Sequence, residues 1–181
     1  MNTATKNLED DHVHILQLID VMEHITHTES PDVNHLEKIV YLIRNFADGM
    51  HHAKEENIFF PLLAERGFSS EQGPVAVMLH EHVLGRNFVR GLAESIALYK
   101  KGNEEAKNEI FRNMNGYSSL LRNHISKENN ILFRMADNAL SESDNNNLLD
   151  RFAEAEKNHI QSADSGKYTE QIKELASFYN I

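Results

Sequence analysis

Only three prolines, at positions 31, 61 and 74, and 8 glycines punctuate 181 residues, and that sparseness is the tightest constraint on the fold. Between these breaks, apolar residues recur at helical spacing, while β-rich runs bounded by turn signals are scarce, so long helices are expected. The first is predicted over 8–29, with Val13, Leu16, Ile19, Val21 and Met22 on its apolar side. Ser30, Pro31 and Asp32 read as an N-cap, a first helical position and an early acid. They open a second helix that carries Leu36, Ile39, Val40, Ile43, Phe46 and Ala47 along one side and continues through MHHAKEENIFF. Pro61 should kink or restart that helix before Arg66 and Gly67 stop it. A third runs from Gly73-Pro74 to Tyr99 or Lys100, where Gly85 and Gly91 either weaken it or allow close packing. A fourth follows Gly102 and reaches Ala139, with Asn115-Gly116 as a candidate interruption.

Four long helices with short connections predict an all-α, antiparallel, up-and-down four-helix bundle. Residues 1–140 would form this unit. Residues 141–181 would form a helical extension packed on it: the polar stretch SESDNNN as a linker, then shorter helices over 148–160 and 169–179.

A net charge of −10 lacks the Lys/Arg footprint of a nucleic-acid or anionic-membrane surface. The absence of cysteine removes disulfides, thiolate metal sites and cysteine nucleophiles. The start, MNTATKNLEDDHVH, has neither the basic beginning nor the apolar run of a secretory signal, and no uncharged apolar stretch approaches about 20 residues. A soluble, cytoplasmic protein is therefore expected.

Histidine is the unusual component, with 11 copies. A helical H-x-x-x-E places both side chains on one face, where each can donate to a metal. The chain has it at His52 and Glu56 and again at His124 and Glu128, each time followed by an apolar cluster, NIFF and NNILF. His51 and Glu55 form another H-x-x-x-E in register beside His52 and Glu56, which allows a one-residue shift in the ligand choice; the apolar residues after Glu56 favour His52 and Glu56 and leave His51 beside the site or at the surface. At 1.5 Å per residue, the first helix climbs about 24 Å from His12 to Thr28 and the second descends about 30 Å from Asp32 to His52. The same arithmetic brings His82 and then His124 to that depth. His12, His52, Glu56, His82, His124 and Glu128 can thus form one layer across four helices. Such a layer is costly as an empty core and sensible as a two-metal site.

The pieces DHVHILQLIDVME, FADGMHHAKEENIFFPLLAERG, GPVAVMLHEHVLGRNFVRGL and LLRNHISKENNILFRMAD together resemble the hemerythrin-like HHE cation-binding domains over about residues 8–140. The resemblance implies a non-haem centre of two iron ions with an oxo or hydroxo bridge, terminal ligands His12, His52, His82 and His124, and bridging Glu56 and Glu128. It also implies a small diatomic or peroxide ligand and an electron donor. Oxygen-carrying hemerythrins have a fifth histidine as H-x-x-x-H on the third helix, where this chain has Arg86 after His82. Four histidines, two bridging carboxylates and one bridging oxygen leave two of twelve positions open; a fifth histidine would leave one.

The implied function is binding of dioxygen, nitric oxide or peroxide for sensing, detoxification or iron handling. The alternative is an iron-responsive regulatory or interaction domain without turnover. Several neighbours have expected places. His14 should be exposed or behind the ligands, and His24, His27, His35 and His159 on the surface. His80, two residues from His82, does not share its face. Arg86 either leans outward or pairs with Glu56 or Glu128. Tyr117 lies about two turns before His124, within reach of the layer. Phe46, Phe59, Phe60, Phe88, Phe111 and Phe133 should form core and, near a metal, exclude water.

Overall fold

The computed structural model describes residues 3–162 and 167–181, and within them the chain forms helices with no strand. Helix α1 (Ala4–Ile25) starts earlier than the apolar pattern suggests because the Thr3 side chain caps it, accepting the Lys6 N–H at 3.2 Å. It also ends earlier, where the Thr26 and Thr28 hydroxyls donate to the carbonyls of Glu23 and Ile25. Its buried stripe runs through Leu8, His12, Ile15, Ile19 and Met22, so Val13 faces solvent. Helix α2 (Val33–Leu42) is capped by Asp32 rather than Ser30: the Asp32 carboxylate accepts from the N–H groups of Asn34 and His35 at 2.7 and 3.3 Å.

From α2 the second rod continues without a break through π-helical turns at Ile43–His52 and Glu55–Phe59 into α3 (Phe60–Glu65). Pro61 lies in the first turn of α3, directly after the i→i+5 bond from the Phe60 N–H to the Glu55 carbonyl. The helix therefore widens and restarts at the proline. Gly67, with φ +92°, ends the rod in a conformation that side chains disfavour.

Helix α4 (Gly73–Lys100) is followed by a rod made of α5 (Ala106–Lys127), a π-helical turn at Glu128–Leu132 and α6 (Phe133–Ala139). Asn115-Gly116 does not interrupt α5. The Phe88 ring of α4 occupies the space a side chain at Gly116 would need, with a Cβ there falling 2.4 Å from the ring. The glycines let α4 and α5 approach closely.

The expected linker is instead the start of α7 (Glu142–Ser162). Ser141 and Asp144 form a capping box: Ser141 Oγ accepts the Asp144 N–H at 3.1 Å and Asp144 Oδ2 accepts the Ser141 N–H at 3.0 Å. Arg66 donates to both Asp144 oxygens, at 3.1 and 2.5 Å, tying α7 to the end of α3. The last helix is α8 (Tyr168–Phe178).

Around the bundle, α1 neighbours the second rod and α5, and α4 neighbours α2 and α5. Two apolar clusters fill it. One joins Ile15–Ile25, Leu36–Ala47, Val89–Ile96 and Ile110–Ile125 and is completed by Ile172 and Leu175 of α8. The other joins Leu8, Phe59, Phe60, Met78 and Phe133 and is completed by Leu148 and Phe152 of α7. On every rod the polar candidates fall where one cluster gives way to the other, His124 beside Ile125 at the end of the first. No helix among the described residues is long and apolar enough to cross a membrane.

Candidate metal centre

Seven buried side chains meet in that gap: His12 from α1, His51, His52 and Glu55 from the second rod, His82 from α4, and His124 and Glu128 from the fourth rod, all 0–4% exposed. Their donor atoms form two groups, each compact enough to hold one ion: His52, Glu55, His82 and His124, and His12, His51, Glu55 and Glu128. Both carboxylates span the groups. Glu55 places one oxygen 3.6 Å from His51 Nε2 and the other 3.4 Å from His82 Nε2. Glu128 Oε2 lies 3.2 Å from His12 Nε2 and 3.3 Å from His124 Nε2.

A second set of side chains orients the imidazoles, and it runs around the bundle in one direction. Asp11 on α1 accepts the Nδ1–H of His51 at 3.1 Å, and Glu56 on the second rod that of His82 at 2.7 Å. Glu81 on α4 accepts that of His124 at 3.0 Å, and Asn129 on the fourth rod that of His12 at 2.7 Å. Each acceptor is the sequence neighbour of a group member, turned about 100° around its own helix toward the next one. His52 is the exception, since its acceptor Asp48, at 3.4 Å, lies one turn back on the same rod. Cations hold the acids in place: Lys54 contacts Asp11, Lys127 contacts Glu81, and Arg86 bridges Asp48 and Glu56.

With every Nδ1 engaged as donor, the neutral tautomer turns a bare Nε2 lone pair into the centre. The His12 and His51 Nε2 atoms then face one another at 3.0 Å, and those of His82 and His124 at 3.2 Å. Such pairs repel unless a proton or a metal lies between them. His52 Nε2 and all four oxygens of Glu55 and Glu128 are buried without a hydrogen-bond partner. Uncompensated carboxylates cost several kcal/mol each in such surroundings, and a cation would satisfy every one of these atoms. The donor set fits bound metal.

Without metal, protons balance the charge. Burial works against a charged His82, but Glu55 and Glu56 more than offset it and raise its pKa to about 9. Burial likewise opposes ionisation of Glu128, yet His124 and His12 hold its pKa down to about 2. His52 is pushed well below the ordinary histidine value by burial and by its histidine neighbours. A metal ion taken up by His82 at neutral pH would displace a proton, so affinity is expected to rise about tenfold per pH unit from pH 7 and level off near pH 9. Metal-buffered titrations across that range check it; a flat affinity would contradict the assignment.

Of the residues singled out from sequence, the structure brings His12, His52, His82, His124 and Glu128 together. It puts Glu56 outside both groups, part-exposed between His82 and Arg86, and puts Glu55 and His51 inside. The cause is the widened helix. A π-helical turn holds more residues than the 3.6 of an α-helix, so consecutive residues diverge by a smaller angle and His51 and His52 can both face inward. The signals available were the in-register pair His51 and Glu55 and the polar neighbours Asp11, Glu56, Glu81 and Asn129. His80 is exposed. His35 and His159 are half-buried against the Tyr179 and Tyr168 hydroxyls rather than free on the surface.

Comparison with curated proteins and with solved structures returned no match. A family model, hemerythrin HHE cation binding domain, matches residues 3–136. That span contains all seven buried donors and, but for the end of α6, the four rods that carry them, and the chain belongs to the hemerythrin HHE cation-binding domain family.

Proposed function

We propose that the centre holds two iron ions and takes dioxygen or a related small ligand, nitric oxide or peroxide, in sensing, detoxification or iron handling. The observation that carries this reading is the sharing of two buried, unpartnered carboxylates between two groups of imidazoles. Imidazole and carboxylate without sulfur suit iron, manganese or zinc, and the family favours iron. Two irons bound there would supply reducing equivalents and a coordination position for a small ligand.

The protein's own residues divide the work. His52, His82 and His124 serve one ion and His12 and His51 the other, with Glu128 standing where the second group has one imidazole fewer. Phe133, stacked on His12 at 5.6 Å, and Phe59, edge-on to Phe133, keep bulk water from that side. On the opposite side a cavity of about 110 Å³ reaches His52 and His82, with Tyr117 and Gly85 in its wall and the exposed Arg44, Arg86 and Arg90 at its rim. Burial raises the Tyr117 pKa, so its hydroxyl stays protonated and can donate a hydrogen bond to a molecule in the cavity. Arg86 pairs with both Asp48 and Glu56 and keeps them turned toward the rings they orient.

Anaerobic metal analysis followed by optical titration with oxygen and nitric oxide tests the reading. The expected result is two irons per chain and a charge-transfer band that changes with the gases. Two retained ions with a spectrum indifferent to both gases would overturn small-ligand binding in favour of an iron-responsive role.

A further inference from the structure

The family match ends at residue 136 and α7 begins at Glu142, yet a side chain of α7 reaches the edge of the metal centre. Lys54, between His52 and Glu55 on the second rod, is 1% exposed. Its ammonium donates to Asn7 Oδ1 at 2.9 Å and to Glu156 Oε1 at 2.6 Å, and it lies 2.7 Å from Asp11 Oδ2. An ammonium has three N–H donors, so these three oxygens account for all of them. The Phe152 ring, also on α7, covers the same ammonium with its centroid 5.5 Å away. The Asp11 oxygen beside Lys54 is the one that accepts the His51 Nδ1–H.

We propose that Glu156 is a positioning residue for the metal centre: by sharing the buried Lys54 ammonium with Asp11, it leaves Asp11 able to hold the His51 ring, so α7 tunes the His12–His51 group. Two carboxylates divide one buried cation. Without the Glu156 charge, Lys54 draws on Asp11 alone, the shared Oδ2 turns toward the ammonium, and its hydrogen bond to His51 weakens. A histidine whose Nδ1–H is held less firmly is a poorer and less well-aimed donor at Nε2. The inference rests on the two-ion reading above.

The test is Glu156→Gln, which keeps the shape of a side chain that is 30% exposed and removes only its charge. In the full-length protein loaded with ferrous iron without oxygen, one ion should pass to a competing chelator on the order of ten times more readily, the low end of the range for partners behind the ligands. The other ion and the melting of the metal-free protein should not change. The ion lost early should be the one that His51→Ala also releases. Asp11→Asn should weaken the same ion further, and Glu156→Gln added to it should have little additional effect, because both act through one oxygen. Asp144→Asn, which loosens the start of α7 away from Lys54, should lower the melting temperature without altering the order of release. Release from Glu156→Gln that matches the unaltered protein, speeds equally for both ions, or adds fully to Asp11→Asn would overturn the proposal. If the unaltered protein holds fewer than two ions, the proposal and the two-ion reading fall together; if it holds two and Glu156→Gln has no selective effect, this proposal alone fails.

Discussion

Glu55→Gln is expected to leave the protein with fewer than two ions per chain, whereas Glu56→Gln keeps both and loses about 10–100-fold in affinity on the His82 side. The two glutamates are adjacent in sequence and their roles are separated by burial and direction. Glu55 is 0% exposed and presents one oxygen to each imidazole group, so replacing half its carboxylate with an amide withdraws charge from both ions and a donor oxygen from one. Glu56 is 25% exposed on its side chain, accepts from the outward nitrogen of His82 and is paired with Arg86. Its amide variant can still accept that bond, more weakly. Metal content after desalting, followed by chelator competition, separates the two. Loss of both ions in Glu56→Gln with full loading in Glu55→Gln would exchange the roles and restore the ligand expected from the simple helical repeat.

Chelation should cost the protein a large share of its thermal stability. At a free-metal concentration 1,000-fold above the dissociation constant, each ion adds about 4 kcal/mol, equivalent to roughly 10 °C in melting temperature for a chain of this size. Removal leaves two carboxylates and five imidazoles in a dry layer, with His82 holding a proton in place of the metal. A histidine pKa raised on folding stabilises the folded state below the unfolded value. That contribution disappears as pH climbs through the folded value, so the metal-free protein should weaken further as pH rises toward 9 and beyond. Calorimetry with and without chelator measures both effects. An unchanged melting temperature on chelation would mean that the polar layer is self-sufficient and that metal is incidental to the fold.

Much of the architecture is visible in the order of residues because it depends on local rules. Pro31, Pro61 and Pro74 and the glycine ends at Gly67 and Gly102 mark the rods, and the apolar spacing between them marks the inward faces. Where local reading misjudged, the competing contact is identifiable. Ser141 to Asn147 is polar enough for a linker, but a capping box and the Arg66 clamp begin a helix there. Asn115-Gly116 carries a breaker's composition, but the Phe88 ring makes the small residue a packing requirement.

The centre divides in the same way. Sequence by itself determined that histidines and acids recur at one depth of four helices, because depth follows from counting residues at a constant rise. It also determined the chemistry of the donors, imidazole and carboxylate without sulfur. Only the tertiary structure decided which carboxylate of the Glu55-Glu56 pair faces inward and that His51 joins His52, because π-helical turns change the angle per residue and nothing in a fixed 3.6 period announces them. Only the tertiary structure, too, brought Asp11, Lys54 and Glu156 together, since those three side chains come from elements far apart in the chain and meet through packing alone.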